Sequence, residues 1–200
     1  MTAAPPRFRQ PLLPQPRGPV SEALIDALRH GSAPRAPAAE PDPYGADLQL
    51  ALQVGYELHY QGFADAVGDR EWDPAVLALR VRLEEQLLAA IRDELAAAPA
   101  DTDARAAMDR LSVEPLHGDG ASWQLAETAS FAHFRDYFAM RSLYHLKEAD
   151  PHAWVIPRLY GRAKAAMVAV EFDEFGAERE ADVHARLYAE LMEDLSLETA

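Results

Sequence analysis

The chain is predicted to be all-α, on three observations. From Tyr44 onward, apolar residues recur at spacings of three and four, the signature of helices with one inward face. No stretch alternates apolar and polar residues with period two for long, so a sheet is not expected. Ten of the fifteen prolines, which break helices and central strands, fall between Pro5 and Pro43.

Residues 1–43 therefore read as a Pro-rich, mostly extended or disordered arm carrying one short helix. In VSEALIDALRHG, Ser21 is placed to cap the start of that helix and Gly31 to close it. Few large apolar groups are present to offset ordering entropy, and the arm is expected to pack loosely on either side of the helix. Residues 44–200 read as a helical domain. ADLQLALQVGYELHYQGFADA sets Leu48, Leu52, Gly55, Tyr56, His59 and Phe63 on one stripe. The next helix opens at Asp73–Pro74, an N-cap and first-turn pair, and repeats Leu77, Val81, Leu88, Ile91 and Leu95. ARAAMDRLSV is a short third segment, and PLHGDG after it must be a loop. TASFAHFRDYFAMRSLYHLKEAD then presents a broad inner face of Phe131, Phe134, Tyr137, Phe138, Arg141, Tyr144 and Glu148. Pro151 should end or reset that helix, and VIPRLYGRAKAAMVAVEFDEFG and ADVHARLYAELMEDL form two more.

Composition excludes several classes of function. A formal charge of −14 argues against nucleic acid and anionic membrane surfaces, since phosphate neutralisation needs clustered Lys and Arg. No apolar run approaches the roughly 18 residues of a membrane span, and the proline-laden start is no signal peptide. With no cysteine there is no disulfide, thiolate ligand or Cys nucleophile. The default location is the cytoplasm.

Three polar residues interrupt the apolar faces late in the chain: Glu148, Glu174 and His184, separated by 26 and 10 residues. Carboxylates and an imidazole converging among helices are the usual donor set for iron or manganese. Each also has a plainer reading. Glu148, on the tyrosine-rich side of its helix, could pair with Arg141 or sit at the surface. Glu174 could join Glu171, Asp173 and Glu178 in a solvated acidic face. His184 begins the stripe His184, Leu187, Tyr188, Leu191, Leu195, so its ring should point inward, where a histidine often serves only as a hydrogen-bonding core residue. Phe175–Gly176 supplies the left-handed turn that ends the helix of Glu174. His152 is a weaker ligand candidate, because Pro151 disturbs its register with Glu148.

RSLYHLKEADPHAWVIPRLYGRAKAAMVAVEFDEFGAEREADVHARLYAELMEDLSL resembles the iron-containing redox enzymes of the haem-oxygenase-like diiron oxidase superfamily. The likeness extends upstream through YELHYQGF and EWDPAVLALRVRLE, over most of residues 44–200. It implies a haem-oxygenase-like helical bundle in which Glu148 binds one iron, Glu174 can bridge, and His184 binds through a ring nitrogen. It also implies Fe(II), with manganese as a substitute, activating O2 against a small organic substrate; catalytic residues beyond the ligands are not implied. The family's third-helix Glu and terminal His-x-x-x-Asp-x-x-His set have no counterpart here, so the chain is expected to be the N-terminal part of a longer member. A partial site would be weak or inactive, and uncovered apolar faces would favour self-association. The alternative is a non-catalytic helical fragment or interaction module. Nothing marks a proximal histidine for haem, and the cysteine nucleophile of the thiamin-salvage relatives is missing.

Overall fold

The computed structural model describes residues 10–35, 40–96, 103–113, 117–118 and 120–199, and all regular structure among them is helical. The chain divides into two compact units, one ending at Asp103 and one spanning Ala104–Thr199.

The first unit is built on α1 (Pro19–His30), α2 (Ala46–Glu57) and α3 (Pro74–Ala96). Val20, Leu24, Ile25 and Leu28 of α1 pack with Leu48, Leu52 and Val54 of α2 and with Val76, Leu79 and Leu83 of α3. The short helix of the proline-rich arm is thus a core element, because its apolar face has nowhere else to be buried. The flanking prolines are not loose between residues 10 and 18. Leu13 is only 4% exposed. Its N–H donates to Asp65 Oδ1 at 2.7 Å, the Pro11 carbonyl accepts from Ala64 N, and Arg29 reaches the Leu13 carbonyl. A few side chains supply the hydrogen bonds that proline denies the backbone. Residues 1–9 and 36–39 of the arm lie outside the described residues.

Two local expectations are corrected. The first helix begins at Pro19 with Gly18 as N-cap, so Ser21 lies inside the first turn. Its hydroxyl accepts from Arg17 N and donates to Asp47 Oδ1 at 2.6 Å. Asp47 also accepts from Val20 N and Ser21 N, so a carboxylate from α2 caps α1. Gly31 does close the helix, in the left-handed conformation at φ 66°. In α3 the buried stripe is Val76, Leu79 and Leu83, whereas Val81, Leu88 and Leu95 are exposed. Apolar residues surround this helix, so its periodicity allowed two faces, and contact with α2 selects one.

The second unit contains α4 (Ala104–Leu111), α5 (Ala121–Glu127), α6 (Phe131–His145), α7 (Ala149–Ala153), α8 (Gly161–Glu174) and α9 (His184–Asp194). Here α6 packs on α9 and α7 packs on α8. Tyr188 of α9 holds the first of these contacts: its hydroxyl donates to the Phe138 carbonyl at 2.8 Å, and its ring stacks on His145 with centroids 4.7 Å apart. The inner face of α6 is narrower than expected. Phe134, Tyr137 and Phe138 are partly buried, but Phe131, Arg141 and Tyr144 are exposed.

Candidate metal centre

Four segments of the second unit carry the polar side chains of interest. The first is the junction of α6 and α7. Helix α6 ends at His145, and Glu148 is the N-cap residue of α7. Pro151 falls in the first turn of α7, where its missing N–H costs nothing because that group has no helical partner anyway. The proline therefore starts a helix instead of scrambling the register, and His152 sits one helical turn beyond Glu148.

Glu148 does not pair with Arg141. Its Oε1 accepts from the Tyr144 hydroxyl at 2.8 Å and its Oε2 from His145 Nδ1 at 3.0 Å. Arg141 instead donates to His145 Nε2 at 3.1 Å, which leaves the ring proton on Nδ1, directed at the carboxylate. The Tyr144 hydroxyl bond outweighs burial and, with His145 and the nearby His152, holds the Glu148 carboxyl below its ordinary range. The same bond pushes the Tyr144 hydroxyl up, and Glu174 adds to that shift, so the field of the α8 carboxylate reaches α6.

The second set spans the end of α8 and the start of α9. Helix α8 closes as a Schellman turn: Gly176 adopts φ 81°, Gly176 N donates to the Asp173 carbonyl, and Ala177 N donates to Phe172. Ala177 and Glu178 also have positive φ, and a one-turn helix at Glu180–Asp182 leads into α9. This tight reversal returns the chain so that His184 Nδ1 lies 2.7 Å from Glu174 Oε2. The contact has ion-pair distance without hydrogen-bond alignment, since Glu174 Oε2 is buried without a hydrogen-bond partner among the described residues. His184 itself is half exposed, so the expected inward-facing ring is corrected. At the first position of α9 it answers to the turn and to Glu174, while Met192 and Tyr188 occupy the inner face.

The acidic cluster of α8 is not uniformly solvated. Glu171 is buried, with its side chain 5% exposed, and its Oε1 lies 3.3 Å from His152 Nδ1. Neither Glu171 oxygen nor that nitrogen has a hydrogen-bond partner among the described residues. The sequence offered Glu171 only as one member of a possible solvated acidic face, and His152 as a weaker ligand candidate. The usable signal was spacing: Glu171 lies one turn before Glu174 on α8, so the two carboxylates share a face.

The three residues singled out by sequence are thus brought together only in part. Glu174 meets His184, and Glu148 is held by Tyr144 and His145. Among the described residues, no three His, Asp or Glu side chains converge on one point. The donor chemistry nevertheless suits iron or manganese. All are carboxylate oxygens and imidazole nitrogens, and four buried atoms among Glu171, Glu174 and His152 want a partner.

Residues 135–200 match a protein-family model described as iron-containing redox enzyme. This segment, a third of the chain, is similar to the iron-containing redox enzymes. The match holds Glu148, His152, Glu171, Glu174 and His184, and it begins downstream of YELHYQGF and EWDPAVLALRVRLE. The all-helical architecture agrees with the haem-oxygenase-like fold that the resemblance implied. No curated protein and no solved structure matches the chain. Among the described residues, no helix is long and apolar enough to cross a membrane.

Proposed function

We propose that this chain carries the iron-binding segment of a non-haem oxidase or oxygenase, with Glu148, Glu174 and His184 as ligands, acting with O2 on a small organic molecule. The observation that carries the reading is the Glu174–His184 contact inside the segment matched to the iron-containing redox enzymes. Iron bound there would supply activation of O2, which side chains alone cannot perform. The protein's part is to present anionic and imidazole donors. Glu148 is kept ionised by Tyr144 and His145, so no proton need leave it before a cation enters. His184 is half exposed and reaches Glu174 from the N-terminus of α9. The aromatic side chains of α6, Phe134 and Phe138 among them, suit an apolar or aromatic substrate of moderate size.

Anaerobic Fe(II) titration of the 200-residue chain, followed by O2 uptake, tests the reading. Iron binding that weakens in Glu174→Gln and His184→Ala supports it. Unaltered affinity in both variants, or no binding by the parent chain, overturns it.

A second reading is a non-catalytic interaction module. It is favoured by the apolar side chains that the second unit exposes, such as Met140 at 81% and Tyr160 at 84%. A folded, self-associating chain that binds no iron would select it.

A further inference from the structure

The buried pair Glu171–His152 has no role in the ligand set just described, and its geometry is unlike that of a structural ion pair. A buried carboxylate ordinarily survives by accepting several hydrogen bonds or by close alignment with a cation. Glu171 has neither: both oxygens are without a hydrogen-bond partner among the described residues, although its side chain is 95% buried. His152 meets it at ion-pair distance, and that ring nitrogen is also buried and without a hydrogen bond among the described residues. The 3.3 Å between Oε1 and Nδ1 is therefore a side-by-side arrangement, not a donor directed at an acceptor.

Side-by-side donors at this distance are what a shared metal ion requires. With ligand bonds of about 2.0–2.2 Å, two atoms subtending an angle between octahedral and tetrahedral at one ion lie roughly 2.8–3.6 Å apart. The two donors also arrive from separate, packed helices. His152 comes from α7 and Glu171 from α8, so their separation is set by helix packing and not by a flexible loop. Glu148, at the N-cap of α7, is close enough for its charge to be felt at His152, which adds negative potential on the same side.

We propose that Glu171 and His152 form a binding site for one divalent transition metal, separate from the Glu174–His184 contact. Its carboxylate oxygen and imidazole nitrogen select an ion of the manganese, iron, cobalt or zinc class over calcium or magnesium, which prefer shells of oxygen alone. Water fills the remaining positions, so binding is moderate. The site stands whether or not Glu148, Glu174 and His184 hold iron.

Cobalt(II), added alone under anaerobic conditions to the full chain, is the probe, with visible absorption and calorimetry as readouts. Glu171→Gln keeps shape and removes the charge; His152→Ala, at a half-exposed ring, is a second variant that does not depend on tolerance in the core. His184→Ala removes the neighbouring pair. The expected result is that His184→Ala still takes up one cobalt, whereas Glu171→Gln and His152→Ala each weaken that uptake by about tenfold or more. Such loss with the far-ultraviolet circular dichroism preserved supports the site, even if the parent chain binds one cobalt in all and the Glu174–His184 reading fails. If Glu171→Gln does not fold, His152→Ala decides. Unchanged cobalt affinity in His152→Ala overturns the proposal, as does absence of cobalt binding by both the parent chain and His184→Ala.

Discussion

Glu174 and His184 are ten residues apart in sequence, yet Oε2 of one lies 2.7 Å from Nδ1 of the other, because the chain reverses through Gly176. The turn and the contact are one structural device. Helix α8 must stop where Glu174 still faces inward, and α9 must start with its first side chain directed back at that carboxylate.

Replacing Gly176 should therefore disturb the candidate site as well as the fold. A Cβ at this residue would collide with the Arg179 carbonyl oxygen and stand 2.7 Å from Val183 N, at a φ of 81° that side chains disfavour. Gly176→Ala is expected to destabilise the second unit by about 1–3 kcal/mol. Urea unfolding measures that loss, and metal affinity should fall with it, since His184 follows within the same turn.

His184→Ala should weaken Fe(II) binding by about tenfold or more without lowering the melting temperature appreciably. The ring is half exposed and contributes little packing, so stability and metal affinity are separable here. Equal iron affinity in parent and variant would remove His184 from the ligand set.

In the first unit, Asp47 accepts from two backbone N–H groups of α1 and from the Ser21 hydroxyl. Asp47→Ala leaves all three donors without their acceptor and should cost about 2–3 kcal/mol. Gly18 is tied to the same carboxylate, because a Cβ there would overlap Asp47 Cγ. Gly18→Ala should thus reproduce part of the Asp47→Ala loss, and the two should not be additive. A double-mutant cycle by urea unfolding measures this.

Asp65 predicts a pH dependence. Burial pushes its carboxyl up, but the Leu13 N–H bond and Arg29 outweigh burial and leave it below its ordinary value. A carboxyl whose folded value is depressed stabilises the fold above its unfolded value of about 3.9, and the contribution disappears as pH falls through the lower folded value. The stability difference between the parent chain and Asp65→Asn should accordingly be largest near neutral pH. It should shrink as pH drops below about 4. Acid unfolding of both, monitored by circular dichroism, checks the sign.

Much of the helical framework was legible in residue order. Of the predicted stripe, Leu48, Leu52 and Gly55 are buried and His59 and Phe63 partly so, whereas Tyr56 is exposed; Asp73 and Pro74 open α3, and Gly31 and Gly176 close their helices. These features depend on contacts within one or two helical turns, so the neighbouring residues suffice to specify them. Glu174 and His184 were also recoverable, because the turn between them is local.

Partner choice across the chain was not legible, and the tertiary structure decided it. Residue order offered α3 two apolar faces, and packing against α2 buried Val76, Leu79 and Leu83. Ser21 looked like a cap until Asp47, 26 residues on, took that role from α2. Glu171 looked like one more member of an acidic surface, and became a buried carboxylate beside His152 when α8 packed on α7. The physical reason is the same in each case. Helix periodicity records that a side chain has a face, but burial and charge pairing depend on which distant segment meets that face, and that is settled only by the simultaneous packing of all of them.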